Sequence, residues 1–353
     1  MAVISEEFGR TKEGKRITRY VIRNSSGMGV NIITMGASIQ SLLIRDKNGI
    51  LRDIVPGYEH GEAYNDNIPH FGSTIGRCCN RIRNGRFVLN GREYHLSKNK
   101  GENHLHGGFL GFDQKNWKGR IVDDNSVELS CESIHGEEGY PGNLKVRLRF
   151  SFTEDNNLLL NYNAVSDRDT LCNLTNRVYF NLAGHSGGDV VEHWVRIGSA
   201  TYIEMGQDML PTGRLLPVKT SEYDFRNWRR VRKEGEAEVK PKSGCFLLPE
   251  KRMGWVAEAW EESSGIWMGV ETTLPALQYY TGYLVKEETG CKDNAFYGPF
   301  CGLCFESQYV TDAINHSGFT SPILRARKQW KQMTRYCFGS FDSLLEIRNF
   351  DFG

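Results

Sequence analysis

The chain has 353 residues, with 44 Lys plus Arg set against 43 Asp plus Glu, and a formal net charge of +1. Charged residues make up 25% and apolar ones 39%, the composition of ordinary globular material rather than of a disordered or fibrous chain. A protein that neutralises many phosphates carries a basic surplus, so the balance excludes a polyanion-coating role and no nucleic-acid partner is expected. No apolar run of about 18 residues occurs, so no membrane span is expected. Residues 1–10 lack the basic start and apolar segment of a signal peptide, and a cytoplasmic location is expected by default.

In chain order, apolar alternation with period two predicts short strands at 19–23, 30–35, 41–44, 87–89 and 126–130. The clearest case follows. Val146, Leu148, Phe150 and Phe152 alternate with Arg147, Arg149 and Ser151, and after the turn residues Glu154-Asp155-Asn156-Asn157 the segment 158–163 resumes the pattern, which predicts an antiparallel hairpin. Further strands are expected at 194–197, 266–271 and 303–306. Long stretches of period 3.6 are nearly absent, with 228–239 the one weak helical or irregular candidate. The expected fold is all-β, a large antiparallel sandwich with little helix. No Pro/Ser-rich linker divides the chain, so 1–353 is read as one domain. No repeat of fixed period appears, which disfavours a propeller. The basic run 226–233 reads as a solvated surface excursion, because Glu234, Glu236 and Glu238 follow it directly. Residues 338–353 carry Phe341, Leu344, Leu345, Ile347, Phe350 and Phe352, too apolar for a free tail, and are expected to pack on the body or on a partner.

Nine cysteines, an odd number without repeating spacing, suit reduced and buried thiols. Cys301 and Cys304 form the one CxxC pattern. It has no second pair and no nearby His pair, so it reads as packed strand rather than as a zinc or redox site.

Four clusters could carry chemistry. Residues 76–87 hold Arg77, Arg81, Arg83 and Arg86 together with Asn80, and arginine forks and amides bind hydroxyl-rich or carboxylate ligands; a solvated turn is the alternative. His104 and His106, two apart on an expected strand, would point the same way and could bind a metal or move protons, although no third metal ligand follows at familiar spacing. Asn173, Asn176 and Asn181 sit in an apolar stretch, where they must line a polar cleft or satisfy backbone groups. Glu306 is a carboxylate in an apolar strand; burial would raise its pKa and poise it as a base, whereas a solvent-facing position would leave it inert.

Together the clusters resemble the aldose 1-epimerase (galactose mutarotase) family. Residues 76–87 are similar to its GR-x-x-NRI-x-x-G-x-F segment, and 103–117 to NHLHGG-x-x-GFD-x-x-x-W with every fixed residue present. Residues 136–142, 210–213, 224–226, 278–282 and 306–308 extend the match in family order over about residues 5 to 337. The resemblance implies a single β-supersandwich with an open sugar cleft, a small-molecule partner, no cofactor and no metal. It implies Glu306 as the base that takes the anomeric hydroxyl proton and His106 as a partner of the ring oxygen or a hydroxyl. Asn80, Arg81, Asn176 and Gln278 would hold the sugar.

Two positions depart from the family pattern. Arg177 stands where the family's general-acid His is usual, and a guanidinium, with a pKa above about 12, stabilises charge but cannot give up a proton near neutrality. The stretch 241–246, which includes Lys242, replaces a sugar-binding Asp. Three readings follow: an aldose 1-epimerase in which His106 is the acid and Arg177 an electrostatic aid; a sugar-binding protein without turnover; and an enzyme for a different, anionic, small molecule.

Overall fold

The computed structural model describes residues 2–233, 235–236, 242–249 and 255–349. The hairpin expected from alternation joins Leu144–Phe152 to Asn157–Ser166, with Phe152 opposite Leu158 and Leu144 opposite Ser166. On its first strand the apolar positions are buried and the arginines turn outward, as the pleat requires. Asn156 closes the turn at φ 60°, a left-handed conformation that Asn tolerates better than most residues.

This hairpin belongs to a nine-stranded sheet. Across it lie Lys118–Asp123, Ser126–Ser133, Leu144–Phe152, Asn157–Ser166, Gln329–Ser340, Ile266–Thr272, Ala257–Trp260, Trp194–Ile197 and Arg229–Arg230, each antiparallel to its neighbour. Two five-stranded antiparallel sheets accompany it. One is a meander of Ala2–Arg10, Arg16–Arg23, Gly29–Ile33, Ser38–Arg45 and Leu51–Asp53. The other runs Pro211–Pro217, Thr201–Met205, Ser243–Leu247, Ala276–Tyr280 and Cys304–Gln308. A continuous apolar core joins all three: Ile22, Val30 and Leu42 from the first five-stranded sheet, Leu148, Phe150 and Leu160 from the large one, and Phe246, Leu277 and Phe305 from the second.

The segment 228–239 contains the short strand Arg229–Arg230; Glu234 and 237–239 lie outside the described residues. The basic run there is met by acids, with Arg226 on Asp224 and Arg230 on Glu192 at 2.8 Å. One α-helix, Leu344–Asn349, occurs among the described residues, and its Leu344 and Ile347 pack with Phe341 against Trp228, Trp260 and Trp267. Phe350 and Phe352 lie outside the described residues. No described helix is long and apolar enough to cross a membrane. All nine cysteines are free thiols, and eight of them, Cys301 and Cys304 included, are buried.

Candidate active site

Two short pairings bring distant segments together. Arg81–Ile82 pairs with His104–Leu105, and Thr74–Ile75 pairs with Thr175–Asn176. Behind them, Ala276–Tyr280 and Cys304–Gln308 run antiparallel with Gln278 directly opposite Glu306. Opposed residues in a ladder stand side by side on one face, so the Gln278 amide and the Glu306 carboxylate share a surface.

Glu306 is buried, its side chain only 2% exposed. Arg177 Nη1 donates to Glu306 Oε1 at 2.6 Å. The guanidinium is itself 14% exposed and lies over the Tyr280 and Tyr179 rings, 4.8 and 5.4 Å from their centroids. Burial pushes the Glu306 carboxyl above the ordinary carboxylate range, while the charges of Arg177 and His70 pull it back. Burial disfavours the charged Arg177 guanidinium, but the summed attractions of its neighbours, Glu306 foremost, hold it protonated.

His106 is also buried. The backbone N–H of Asn80 donates to its Nδ1 at 3.1 Å, which places the ring proton on Nε2. Burial and the nearby charges of Arg177, His70 and Arg81 hold its pKa well below the usual imidazole value, so His106 is neutral. Asn80 Nδ2 donates to Gln278 Oε1 at 3.4 Å, and Gln278 Nε2 donates to Ser243 Oγ at 3.1 Å. Arg81 follows on the same segment, with burial lowering its pKa and Tyr283 beside it. Glu306, Arg177, His106, Asn80, Arg81 and Gln278 are therefore gathered in one region.

The other members of the clusters have structural partners. His104 does not share a site with His106: its Nδ1 donates to Ser97 O at 2.7 Å, and its Nε2 accepts from the Tyr140 hydroxyl at 2.8 Å. The strand Leu105 belongs to ends there, and His106 adopts φ 54°, which breaks the alternation that would have aligned the two rings. Among the arginines of 76–87, Arg77 is buried on Ser133, Ile134 and Pro141, whereas Arg83 and Arg86 reach outward to Asp208 and Glu93. Asn173 pairs with the Tyr309 backbone, and Asn181 donates to Gly188 O. Asn176 Nδ2 donates to Gly72 O at 2.8 Å. Lys242 does not present an exposed charge: it is buried, and its ammonium donates to Val231 O at 3.2 Å. No group of three or more His, Cys, Asp or Glu side chains placed to hold a metal occurs among the described residues.

One imidazole at this site lies outside the four sequence clusters. His70 Nδ1 is 3.0 Å from Asp113 Oδ2, and its ring stands edge-on to His106 with centroids 5.2 Å apart. The surrounding Asn67-Ile68-Pro69-His70-Phe71-Gly72 has no periodic or ligand-like pattern, and its partner Asp113 is 43 residues away. Only its place just before the Gly76 segment could have drawn attention to it.

The all-β architecture that positions this site is that of solved mutarotase-like structures. A GalM/aldose epimerase homologue from C. elegans superposes with a TM-score of 0.86 at 26% identity, covering 91% of this chain and 98% of that one. A galactose 1-epimerase from Lactobacillus acidophilus gives 0.84 at 25% identity, covering 96% and 99%. In sequence, the aldose 1-epimerase family profile matches residues 18–337. Rat galactose mutarotase is 34% identical over 340 residues, 96% of this chain and 99% of its own length. The aldose 1-epimerase of Escherichia coli K12 is 31% identical over 345 residues, 95% and 99% of the two chains. The chain belongs to the aldose 1-epimerase family.

Proposed function

We propose that the protein interconverts the anomers of an aldose by cofactor-free acid–base chemistry, with Glu306 as the base. The observation that carries this reading is a buried carboxylate with a raised pKa, set in the ladder beside the amide of Gln278. A base works best when its pKa approaches the working pH, and burial moves Glu306 in that direction. Its carboxylate takes the proton of the C1 hydroxyl, the bond from C1 to the ring oxygen breaks, and C1 becomes a carbonyl. Rotation about the C1–C2 bond and closure on the other face give the other anomer.

Asn80, Arg81 and Gln278 are the hydroxyl-holding groups of this reading. His106, neutral and with Nε2–H still to donate, holds a hydroxyl or the ring oxygen rather than ionising. Asn176 acts at one remove, anchoring the 69–73 loop through Gly72. The alternative of an anionic substrate is motivated by Arg177 and Lys242, but the first is compensated by Glu306 and the second is buried on Val231. The sugar reading is the better supported.

Polarimetry on freshly dissolved α-D-glucose and α-D-galactose tests the proposal. Relaxation faster than in buffer is expected, with Glu306→Gln slower by about 10²–10⁴. No acceleration with either sugar, or an unimpaired Glu306→Gln variant, would sink it.

A further inference from the structure

Opening the ring needs a proton for the leaving ring oxygen as well as a base for the C1 hydroxyl. Arg177 cannot give up a proton near neutrality, and His106 is buried and neutral rather than an imidazolium, so neither supplies it as an acid. We propose that His70, held by Asp113, is the proton donor to the ring oxygen, an imidazole brought in by the loop that lies against residue 177. The inference rests on the reading of Glu306 as base.

The loop and the Arg177 segment are joined along their length. Arg177 N–H donates to Ser73 O at 2.8 Å, Gly72 N–H donates to Arg177 O at 3.0 Å, and Asn176 donates to Gly72 O. Pro69 O accepts from the Tyr179 hydroxyl at 3.0 Å and from Arg177 Nε at 3.4 Å. His70 is therefore fixed next to the place from which residue 177 would reach the cleft. It stands edge-on against the His106 ring, with centroids 5.2 Å apart.

The dyad has the features of a proton donor. Asp113 is 5% exposed and also accepts from Gln114 Nε2 at 2.8 Å, whereas the His70 side chain is 25% exposed. A buried carboxylate that accepts from Nδ1–H fixes the ring orientation and stabilises the imidazolium, leaving Nε2–H as the exchangeable proton. Gly111 makes room for the carboxylate, since a Cβ there would lie 2.5 Å from Asp113 Oδ1. The step balances: the electron pair of the C1–O bond passes to the ring oxygen, which takes the Nε2 proton, while Glu306 takes the proton from the C1 hydroxyl. Closure returns both protons. His70 touches the substrate in this scheme, and Asp113 is a positioning residue.

The φ of His70, 60°, guides the choice of variants, because Asn and Gly accept that conformation. In the full-length protein, His70→Asn is expected to lower kcat by about 10²–10⁴ with little change in KM. His70→Gly leaves room for a free imidazole, and added imidazole is expected to restore activity in a concentration-dependent way that Glu306→Gln does not share. Asp113→Asn is expected to lower kcat less, again without raising KM. A folded His70→Asn enzyme with the wild-type kcat, or a folded His70→Gly enzyme indifferent to imidazole, would overturn the assignment. If wild type is inactive or Glu306→Gln is unimpaired, the base reading itself falls. If those two behave as expected while the His70 variants keep their rate, only the His70 assignment falls.

Discussion

Arg177 and Glu306 form a buried ion pair, with guanidinium nitrogen and carboxylate oxygen 2.6 Å apart. The pairing ties the residue that departs most from the family pattern to the residue read as the base. Each holds the other's charge in a place where neither would be stable alone.

Replacing Arg177 by Leu removes a charge that pulls the Glu306 pKa down. The expected result is a carboxyl that protonates at still higher pH, so the rate, which falls as pH drops through this pKa, begins to fall earlier in Arg177→Leu than in wild type. Rate profiles of both proteins between pH 4 and 8 check it; coincident acid limbs would count against Glu306 as the titrating base.

The same substitution leaves a buried carboxylate uncompensated, at an expected loss of about 3–5 kcal/mol near neutral pH. Because the folded-state pKa is raised, the folded chain binds more protons than the unfolded one, and stability falls as pH rises through that value. Below the unfolded carboxyl pKa the penalty is absent. Urea unfolding of Arg177→Leu at pH 4 and pH 8 is therefore expected to show the larger deficit at pH 8.

Asn80 and Gln278 touch each other through the amide contact and are both read as sugar-holding groups. Each Ala substitution is expected to raise KM about tenfold, the scale of one lost hydrogen bond. The double variant is expected to lose less than the product of the two, because each amide is the other's partner. Titration of sugar binding and a double-mutant cycle measure this directly.

Gly72 stands two residues after His70, with φ 67°, and a Cβ there would meet Ile39 O at 2.0 Å. Strain in the left-handed region and a backbone clash act together, so Gly72→Ala is expected to lose at least about 2 kcal/mol of stability. Thermal unfolding gives the answer, and a variant as stable as wild type would show that the loop is not held as described.

The buried thiols make a further check. Burial pushes Cys78, Cys245, Cys301 and Cys337 up to about 12, far from the thiolate form that reacts. An aromatic disulfide reagent at pH 8 is expected to find few of the nine cysteines in the native protein and all nine after denaturation. Rapid reaction of most thiols in the native state would contradict the burial.

Where side chains alternate, the fold was legible. The strand at 194–197 and the 146–163 hairpin were visible because their burial alternates from one face to the other. Ala2–Arg10 was not, since its edge position leaves both faces partly exposed and removes the pattern. Ala276–Tyr280 is buried on both faces, which erases alternation from the other side.

At the site, Glu306, His106, Asn80, Arg81 and Gln278 were marked by motifs, whereas Arg77 proved to be a buried structural group in the same arginine-rich segment. Composition does not distinguish an arginine that meets carbonyls from one that meets a ligand. His70 was invisible for a different reason: its significance comes from Asp113 and from the chain at 177, contacts made only when the loop folds back.

The opposition of Gln278 and Glu306 also decides which length changes the cleft can survive. Each belongs to a five-residue strand, and side chains alternate faces along both. Deleting one residue before Gln278 within its strand would bring Leu277 or Tyr279 across from Glu306 and turn the amide to the far side. The loops around the cleft can lengthen without disturbing this pair, whereas these ten positions admit changes of residue and no change of count.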